Sequence, residues 1–330
     1  MAVVGDGEIL DAIAAGDPAG LTIAYDHHAA EIYGFCRVML GDPGDAAEAL
    51  QDTFAAAGSG LRALRDAAHL RPWLFAMARA ECHRRRSDRA APGGTGAAGD
   101  ALAPPGDAGG AGPLALVRAA LPALTGEERE VAELSLRYEL ASGGLARVLG
   151  VSGRRARAAA ARAQDAFGRA LRAALVARTG RGSCPELAGM LTDWDGALTA
   201  PLRDQILAHA AGCGACGPRS RRELAAGVLL NMLPVLTAPA GLRDQVLRAI
   251  TGESPAAVAY RARVARRSWP YDRSGFPRQP SPPPPTARRL KAPVQATAAV
   301  VAALAVVGGS TLLATGLTGQ PGPGSGGPRG

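Results

Sequence analysis

The run from Ser87 to Pro113 constrains this chain more than any other feature, because it is built of Gly, Ala, Pro and Asp with almost no large apolar side chain. Such a run cannot bury enough apolar surface to offset the entropy of ordering its backbone, so it reads as a flexible linker. A second run, residues 253–291, is rich in Pro and Arg and contains Pro282-Pro283-Pro284-Pro285. It is expected to be extended and unpacked. With both runs unpacked, the chain is expected to divide into several small units. The 330 residues are enough for two or three of them. Aromatic residues make up only 4% of the chain, which argues against an aromatic-rich β-sandwich.

The blocks between these runs carry helical spacing. In the first, apolar residues recur as Ile32, Phe35, Cys36, Met39 and Leu40, and again as Leu61, Leu64, Leu70, Trp73, Leu74, Met77 and Ala78. Trp73 is read as a core residue. Asp42-Pro43-Gly44-Asp45 ends one helix and starts the next, with Asp45 as the expected cap. In the second block Leu121, Leu124, Val131, Leu134 and Leu136 form a stripe, and Thr125 with Glu128 forms a capping box. Gly143–Ser152 then reads as a short helix, a turn at Gly150 and a cap at Ser152, ahead of the Arg- and Ala-rich run 153–174. That pattern suits a helix-turn-helix, and it also suits an ordinary helical hairpin. Arg154, Arg155, Arg157 and Arg162 favour the former, because the start of the second helix is the part that enters a major groove.

The charge is patterned. The formal net charge is +8, yet residues 1–61 hold ten acids and one Arg, whereas residues 62–89 and 154–181 hold eight Arg each. Local basic patches of this kind point to polyanion contact at particular places.

Five cysteines do not make a disulfide framework. Cys36 and Cys82 stand alone in apolar helical surroundings. Cys184 and the run His209-Ala-Ala-Gly-Cys213-Gly-Ala-Cys216 supply one imidazole and three thiolates, the donor set of a closed tetrahedral Zn²⁺ site. Without Cys184 a three-ligand site remains. Four protein ligands leave no open position for a water, so a structural or switching role is expected, not hydrolysis. The Gly-Gly-Thr-Gly at 93–96 follows no strand and is not a phosphate-binding loop. Near the C-terminus, Ala296–Leu317 is a run of 22 mostly apolar residues preceded by Arg288, Arg289 and Lys291. Its length is close to the ~20 residues that span a bilayer. A transmembrane helix is therefore expected at 292–318, with residues 1–291 on the cytoplasmic side and a tail at 319–330 outside.

These residues carry a resemblance. Ile32–Asp42, Asp45–Phe54, and Leu70–Cys82 followed by Arg84-Arg85-Arg86 resemble the first conserved domain of bacterial extracytoplasmic-function sigma factors. Leu121–Leu124, Glu128–Val131 and Leu145–Ser152 resemble the domain of the same proteins that reads the −35 promoter element. Residues 184–225 resemble a zinc-binding anti-sigma domain. The resemblance implies an all-α chain: an N-terminal segment 1–20, a region 2-like domain 21–89, a linker 90–113, and a region 4-like helix-turn-helix 114–178. A zinc-binding helical domain 184–252, the basic linker 253–291, the span and the tail follow.

The resemblance also implies a division of labour. Asp45, Glu48, Gln51 and Asp52 would dock on the β′ clamp of core RNA polymerase, their acids facing outward, and the second domain would meet the β flap. Arg79, Arg84, Arg85 and Arg86 would hold the −10 element as a single strand. Arg154, Arg155, Arg157 and Arg162 would lie on the −35 duplex. Such a chain is not an enzyme; catalysis belongs to the polymerase. The zinc domain and the membrane tether would regulate it through contact with the sigma domains. The alternatives are a membrane-anchored helix-turn-helix regulator that forms no holoenzyme, and a degenerate sigma factor serving as a sensor.

Overall fold

The computed structural model describes residues 5–64, 66–90, 112–267 and 270–278. The first helices are α1 (Asp6–Ala15), α2 (Pro18–Leu40), α3 (Pro43–Gly60) and α4 (Leu70–Ala90). Caps set their ends. Asp17 and Asp42 each precede a proline at the first helical turn, and their carboxylates accept from Ala19 N at 2.8 Å and Asp45 N at 2.9 Å. The cap of α3 is thus Asp42, one turn before the expected Asp45. The apolar stripes read from the sequence are buried, and Trp73, Phe35, Phe54 and Phe75 sit at the centre of this bundle. Cys36 and Cys82 are not isolated: they meet across α2 and α4, where burial, and then the hydrogen bond to Cys36, push the Cys82 thiol well above its ordinary value. A thiol so placed is inert.

The second block gives α5 (Pro113–Ala120), α6 (Gly126–Ala132), α7 (Ser142–Leu149) and α8 (Gly153–Gly180). The capping box at Thr125 and Glu128 forms in both directions, at 3.2 and 2.9 Å. Gly150 closes α7 at φ +66°, a backbone shape that suits a residue without a Cβ, and Ser152 caps α8. After α6 the chain makes one π-helical turn, Glu133–Arg137. The remainder is α9 (Pro185–Met190), α10 (Ala200–Gly212), α11 (Gly217–Ser220), α12 (Ala226–Asn231), α13 (Leu242–Thr251) and α14 (Pro255–Arg266). A tight turn, 270–278, closes on a single bridge between Tyr271 and Pro277.

Two apolar cores run through these helices, and neither follows the blocks of the sequence. The first joins α1–α4 with Leu134, Tyr138, Leu145 and Val148, and also with Leu242, Val246 and Ile250 of α13, Val264 of α14, and Phe276. The second joins α5, α6 and most of α8 with Leu187, Leu191, Ile206, Ala210, Cys216 and Leu230. The helix-turn-helix is therefore shared: α7 packs on the first module, and α8 packs on the segment that carries the cysteines. The π turn makes this sharing possible, because it carries Tyr138 out of the second module to pack against Phe35 and Phe75, with ring centroids 6.4 and 4.9 Å away.

Two expectations need correction. The all-α class holds for the described residues, but the transmembrane helix does not stand: among them no helix is long and apolar enough to cross a membrane. The longest, α8, carries seven arginines over its 28 residues and packs its apolar side against α5, α6 and α10. The membrane localisation that rested on that span is withdrawn with it. The expected span 292–318, its flanking Lys291 and the tail 319–330 lie outside the described residues, as does 91–111 of the first linker. The second correction concerns 253–291, which was expected to be extended. It opens with α14, capped by Ser254, and continues into the packed turn at 270–278.

The junction between the modules is ionic as well as apolar. Glu130 of α6 is buried and pairs with Arg79 and, at 3.1 Å, with His83, both on α4. Arg71 forks onto Glu31 at 2.8 and 3.0 Å and reaches the Tyr138 carbonyl at 2.8 Å. Burial alone would raise the Glu130 carboxyl, but the hydrogen bond with His83 and the charge of Arg79 hold it below its ordinary value. Replacing one member of a buried pair strands charge, whereas an exposed pair contributes little. Glu130→Ala is expected to lower the unfolding free energy by about 3 kcal/mol in urea titrations. Glu48→Ala, which removes an exposed carboxylate from Arg85, is expected to cost less than about 1 kcal/mol.

Candidate nucleic-acid interface and Cys/His cluster

The arginines singled out in the sequence divide into two sets. Arg154, Arg155, Arg157 and Arg162 are all exposed along one side of α8, opposite the buried Ala156, Ala163, Ala166 and Phe167. Their helix starts at a capped N-terminus, so both its charges and its dipole favour a polyanion. The arginines of α4 are mostly engaged. Arg79 pairs with Glu130; Arg84 meets Glu81 at 2.8 Å, Asp88 at 2.9 Å and Asp52 at 3.4 Å; Arg85 meets Glu48 and Asp52, each at 2.7 Å. Only Arg86 of this set is exposed.

The acidic side of α3 differs from expectation in one respect. Glu48 is exposed, and Asp45 and Gln51 are half-buried, but Asp52 is buried and does not face outward. It lies at the centre of a cluster: Arg85 at 2.7 Å, Arg84 at 3.4 Å, Arg267 at 3.0 Å, and the Tyr260 hydroxyl donating at 2.7 Å. Asp45 pairs with Arg89. Gln245 of α13 donates to Gln51 at 3.3 Å, and Arg243 forks onto Asp26 at 2.7 and 2.8 Å. Thus α13 and α14 lie against α3 where it carries Gln51 and Asp52, whereas Asp45 and Glu48 pair with Arg89 and Arg85 of α4. Tyr260, Arg267 and Arg243 were not recognised from sequence: the first two stand in a segment whose composition reads as linker, and Arg243 in the helical unit assigned to the cysteines.

The four Cys/His donors come together. The sulfurs of Cys184, Cys213 and Cys216 and a ring nitrogen of His209 all lie within 4.8 Å of one another. Cys184 Sγ is 3.3 Å from His209 Nε2 and 3.9 Å from Cys213 Sγ. An ion bound to sulfur at about 2.3 Å in tetrahedral geometry needs donors about 4 Å apart, so the set fits one Zn²⁺. Local structure explains the placement: Cys184 caps α9, His209 lies in the last turn of α10, and Cys213 and Cys216 flank the turn into α11. The second ring nitrogen of His209, Nδ1, faces Glu186 Oε2 at 3.3 Å, so Nε2 is turned to the sulfurs. A carboxylate behind a ligating imidazole is the usual way its orientation is held. Glu186 was missed by the sequence reading, although it stands two residues after Cys184. Backbone N–H groups of Cys216 and Ala215 bring the Cys213 thiol down to about 7, while burial pushes Cys216 up to about 12.

A further buried acid lies where the modules meet. Glu133, in the π turn, is fully buried, its carboxylate oxygens have no hydrogen-bond partner among the described residues, and Arg137 Nε stands 3.8 Å away. Burial pushes its carboxyl up from 4.5 to about 7, against the pull of Arg137 and Arg129. Arg137 in turn donates to the carbonyls of Leu230, Leu233 and Pro234 at 3.0–3.3 Å, which ties the end of α12 to the π turn.

Comparison with known families matches residues 24–91 to Sigma-70 region 2. The match covers most of α2 and all of α3 and α4, about a fifth of the chain, so this module is similar to sigma-70 region 2 and is called the region 2 domain. No curated protein and no solved structure matches the chain.

Two outcomes follow from this geometry. Full-length protein purified with zinc is expected to hold one ion per chain. Cys213→Ser should abolish this, and Glu186→Ala should weaken zinc binding about 10–100-fold in a chelator competition. For Glu133, the folded chain keeps a proton between pH 4.5 and about 7 that the unfolded chain has already released. Stability from this group therefore falls as pH rises through that window, by up to about 3 kcal/mol, and is level above it. Urea titrations from pH 5 to 8 should show the decline, and Glu133→Gln should flatten it.

Proposed function

We propose that this chain is a sigma factor that recruits core RNA polymerase to promoters through the region 2 domain and a region 4-like helix-turn-helix, and that its own C-terminal half restrains it. The Sigma-70 region 2 match at residues 24–91 carries the first part of this reading. The four exposed arginines at the start of α8 support duplex binding by the second module: most would contact phosphates, and one or two would reach guanine edges. Arg86 is available to a single strand at the −10 element. Arg79, Arg84 and Arg85 reach DNA only by exchanging their carboxylate partners for phosphates. The chain supplies no bond-making chemistry in this scheme; the polymerase does.

The restraint is supported by the position of α13 and α14. In this reading α3 is the helix that docks on the β′ clamp, through Asp45, Glu48, Gln51 and Asp52. Tyr260, Arg267 and Gln245 engage Asp52 and Gln51 on that same face, so polymerase and the C-terminal half compete for it. The Cys/His cluster, with one Zn²⁺, would hold α9, α10 and α11 together as the platform on which α8 rests. This makes the metal a structural element of the restrained state.

The test uses the full chain. Wild type is expected to bind bacterial core RNA polymerase weakly in co-elution at low salt. The variant Tyr260→Phe, Arg267→Ala, Arg243→Ala is expected to bind at least about tenfold more tightly, a change of about 1.4 kcal/mol or more, and to raise run-off transcription. Duplex binding without any polymerase binding by either protein would favour a DNA-binding regulator that forms no holoenzyme and would sink this reading.

A further inference from the structure

The turn at 270–278 touches both candidate DNA-binding modules at once. It is self-contained: Asp272 Oδ1 accepts from Ser274 N, the Ser274 hydroxyl and Phe276 N at 2.7–3.0 Å, Gly275 takes φ +81°, and Arg278 N donates to the Pro270 carbonyl at 2.7 Å. On the region 2 side, Trp73 Nε1 donates to the Gly275 carbonyl at 2.7 Å, and the Tyr271 ring lies nearly parallel to the indole, 14° from it. Gly60 has no side chain because there is no room for one: a Cβ there would meet the Trp73 ring at 2.5 Å and the Tyr271 hydroxyl at 2.8 Å. Phe276 is almost fully buried. It meets the His69 ring edge-on, at the region 2 domain, and the Arg147 guanidinium stands 5.3 Å from its ring centroid, on the first helix of the helix-turn-helix.

We propose that residues 270–278 are a releasable staple that holds the region 2 domain and the helix-turn-helix closed on one another. The proposal rests on the sigma-factor reading for its consequence, not for its geometry. In that reading the two modules serve promoter elements whose names place them about 25 base pairs apart, roughly 85 Å at 3.4 Å per base pair. Here the modules are in direct contact, through Arg79 with Glu130 and Arg71 with the Tyr138 carbonyl, so the chain must open before both elements can be held. The staple suits such a step. Its side chains make no core of their own: Phe276 and Tyr271 join the first apolar core from outside, against the Trp73 indole, the His69 imidazole and the Arg147 guanidinium. An element of this kind detaches at a fraction of the global unfolding cost. The contact is also distinct from the α13–α14 face: it meets α3 only at its last residue, Gly60, away from Gln51 and Asp52.

Hydrogen exchange followed by mass spectrometry on the full chain tests it. In the variant Tyr271→Ala, Phe276→Ala, peptides covering Tyr138–Leu149 are expected to exchange about tenfold faster, while those of α10 keep their protection. Arg147→Ala, which removes only the helix-turn-helix side of the contact, should move the same peptides in the same direction. Unchanged exchange in both variants would overturn the staple. Core RNA polymerase binding, measured on the same proteins, separates the two readings. Faster exchange without polymerase binding leaves the staple standing and removes the sigma reading. Polymerase binding with unchanged exchange does the reverse.

Discussion

Charge that is driven against a packed core has to be paired there, and that requirement organises this molecule around α4. Residues 72–78 of the helix are buried in the first bundle, and Arg71, Arg79, Arg84 and Arg85 stand before and after that stretch, only partly exposed. These guanidiniums stand too close to the apolar core to be left to water alone, and each one draws an acid or a carbonyl from another element. Arg79 takes Glu130 of α6, Arg71 takes Glu31 and the Tyr138 carbonyl, and Arg84 and Arg85 take Asp52 of α3. Asp52 then accepts Tyr260 and Arg267 as well. The contacts that bring the second module and the C-terminal helices onto the region 2 domain are thus answers to one desolvation problem.

A consequence is that structure and sequence divide the chain differently. By sequence, the helix-turn-helix is one block and the cysteine segment another. In the folded chain α7 belongs to the first core, α8 to the second, and the π turn at Glu133–Arg137 links them. That turn is an unfavourable place for an acid: the Glu133 carboxylate is buried without a hydrogen bond among the described residues, and its neighbour Arg137 is committed to carbonyls at and just after the end of α12. A buried polar group left short of partners costs free energy, and this one sits at the joint between the modules.

Much of the candidate site could be read from residue order. The Cys/His cluster was legible because three of its four members sit within eight residues, at a helix end and the turn that follows it. The α8 arginines were legible because the alternation with Ala156, Ala163 and Phe167 puts them on a single exposed side. The Asp52 cluster was not. An acid three residues from Ala49 and two from Phe54 on α3 can point either to water or to a neighbour, and only the arrival of α14 decides. Glu186 was in the same position: adjacent in sequence to a donor, but meaningful only once α9 had turned it toward His209.

The sequence by itself determined local things: the helices, their caps at Asp17, Thr125 and Ser152, the turn at Gly150, the identity of the four donors, and the sigma-70 character of residues 24–91. Each of these depends on side chains within a few positions of one another. Tertiary structure alone decided that residues 242–266 cover α3, that 270–278 closes over Trp73 and Phe276 meets Arg147, and that two modules read as separate share a core. Those outcomes turn on which distant group relieves a buried charge or covers an exposed ring. That choice is made by the summed packing of all the helices, and no short window of residues contains it.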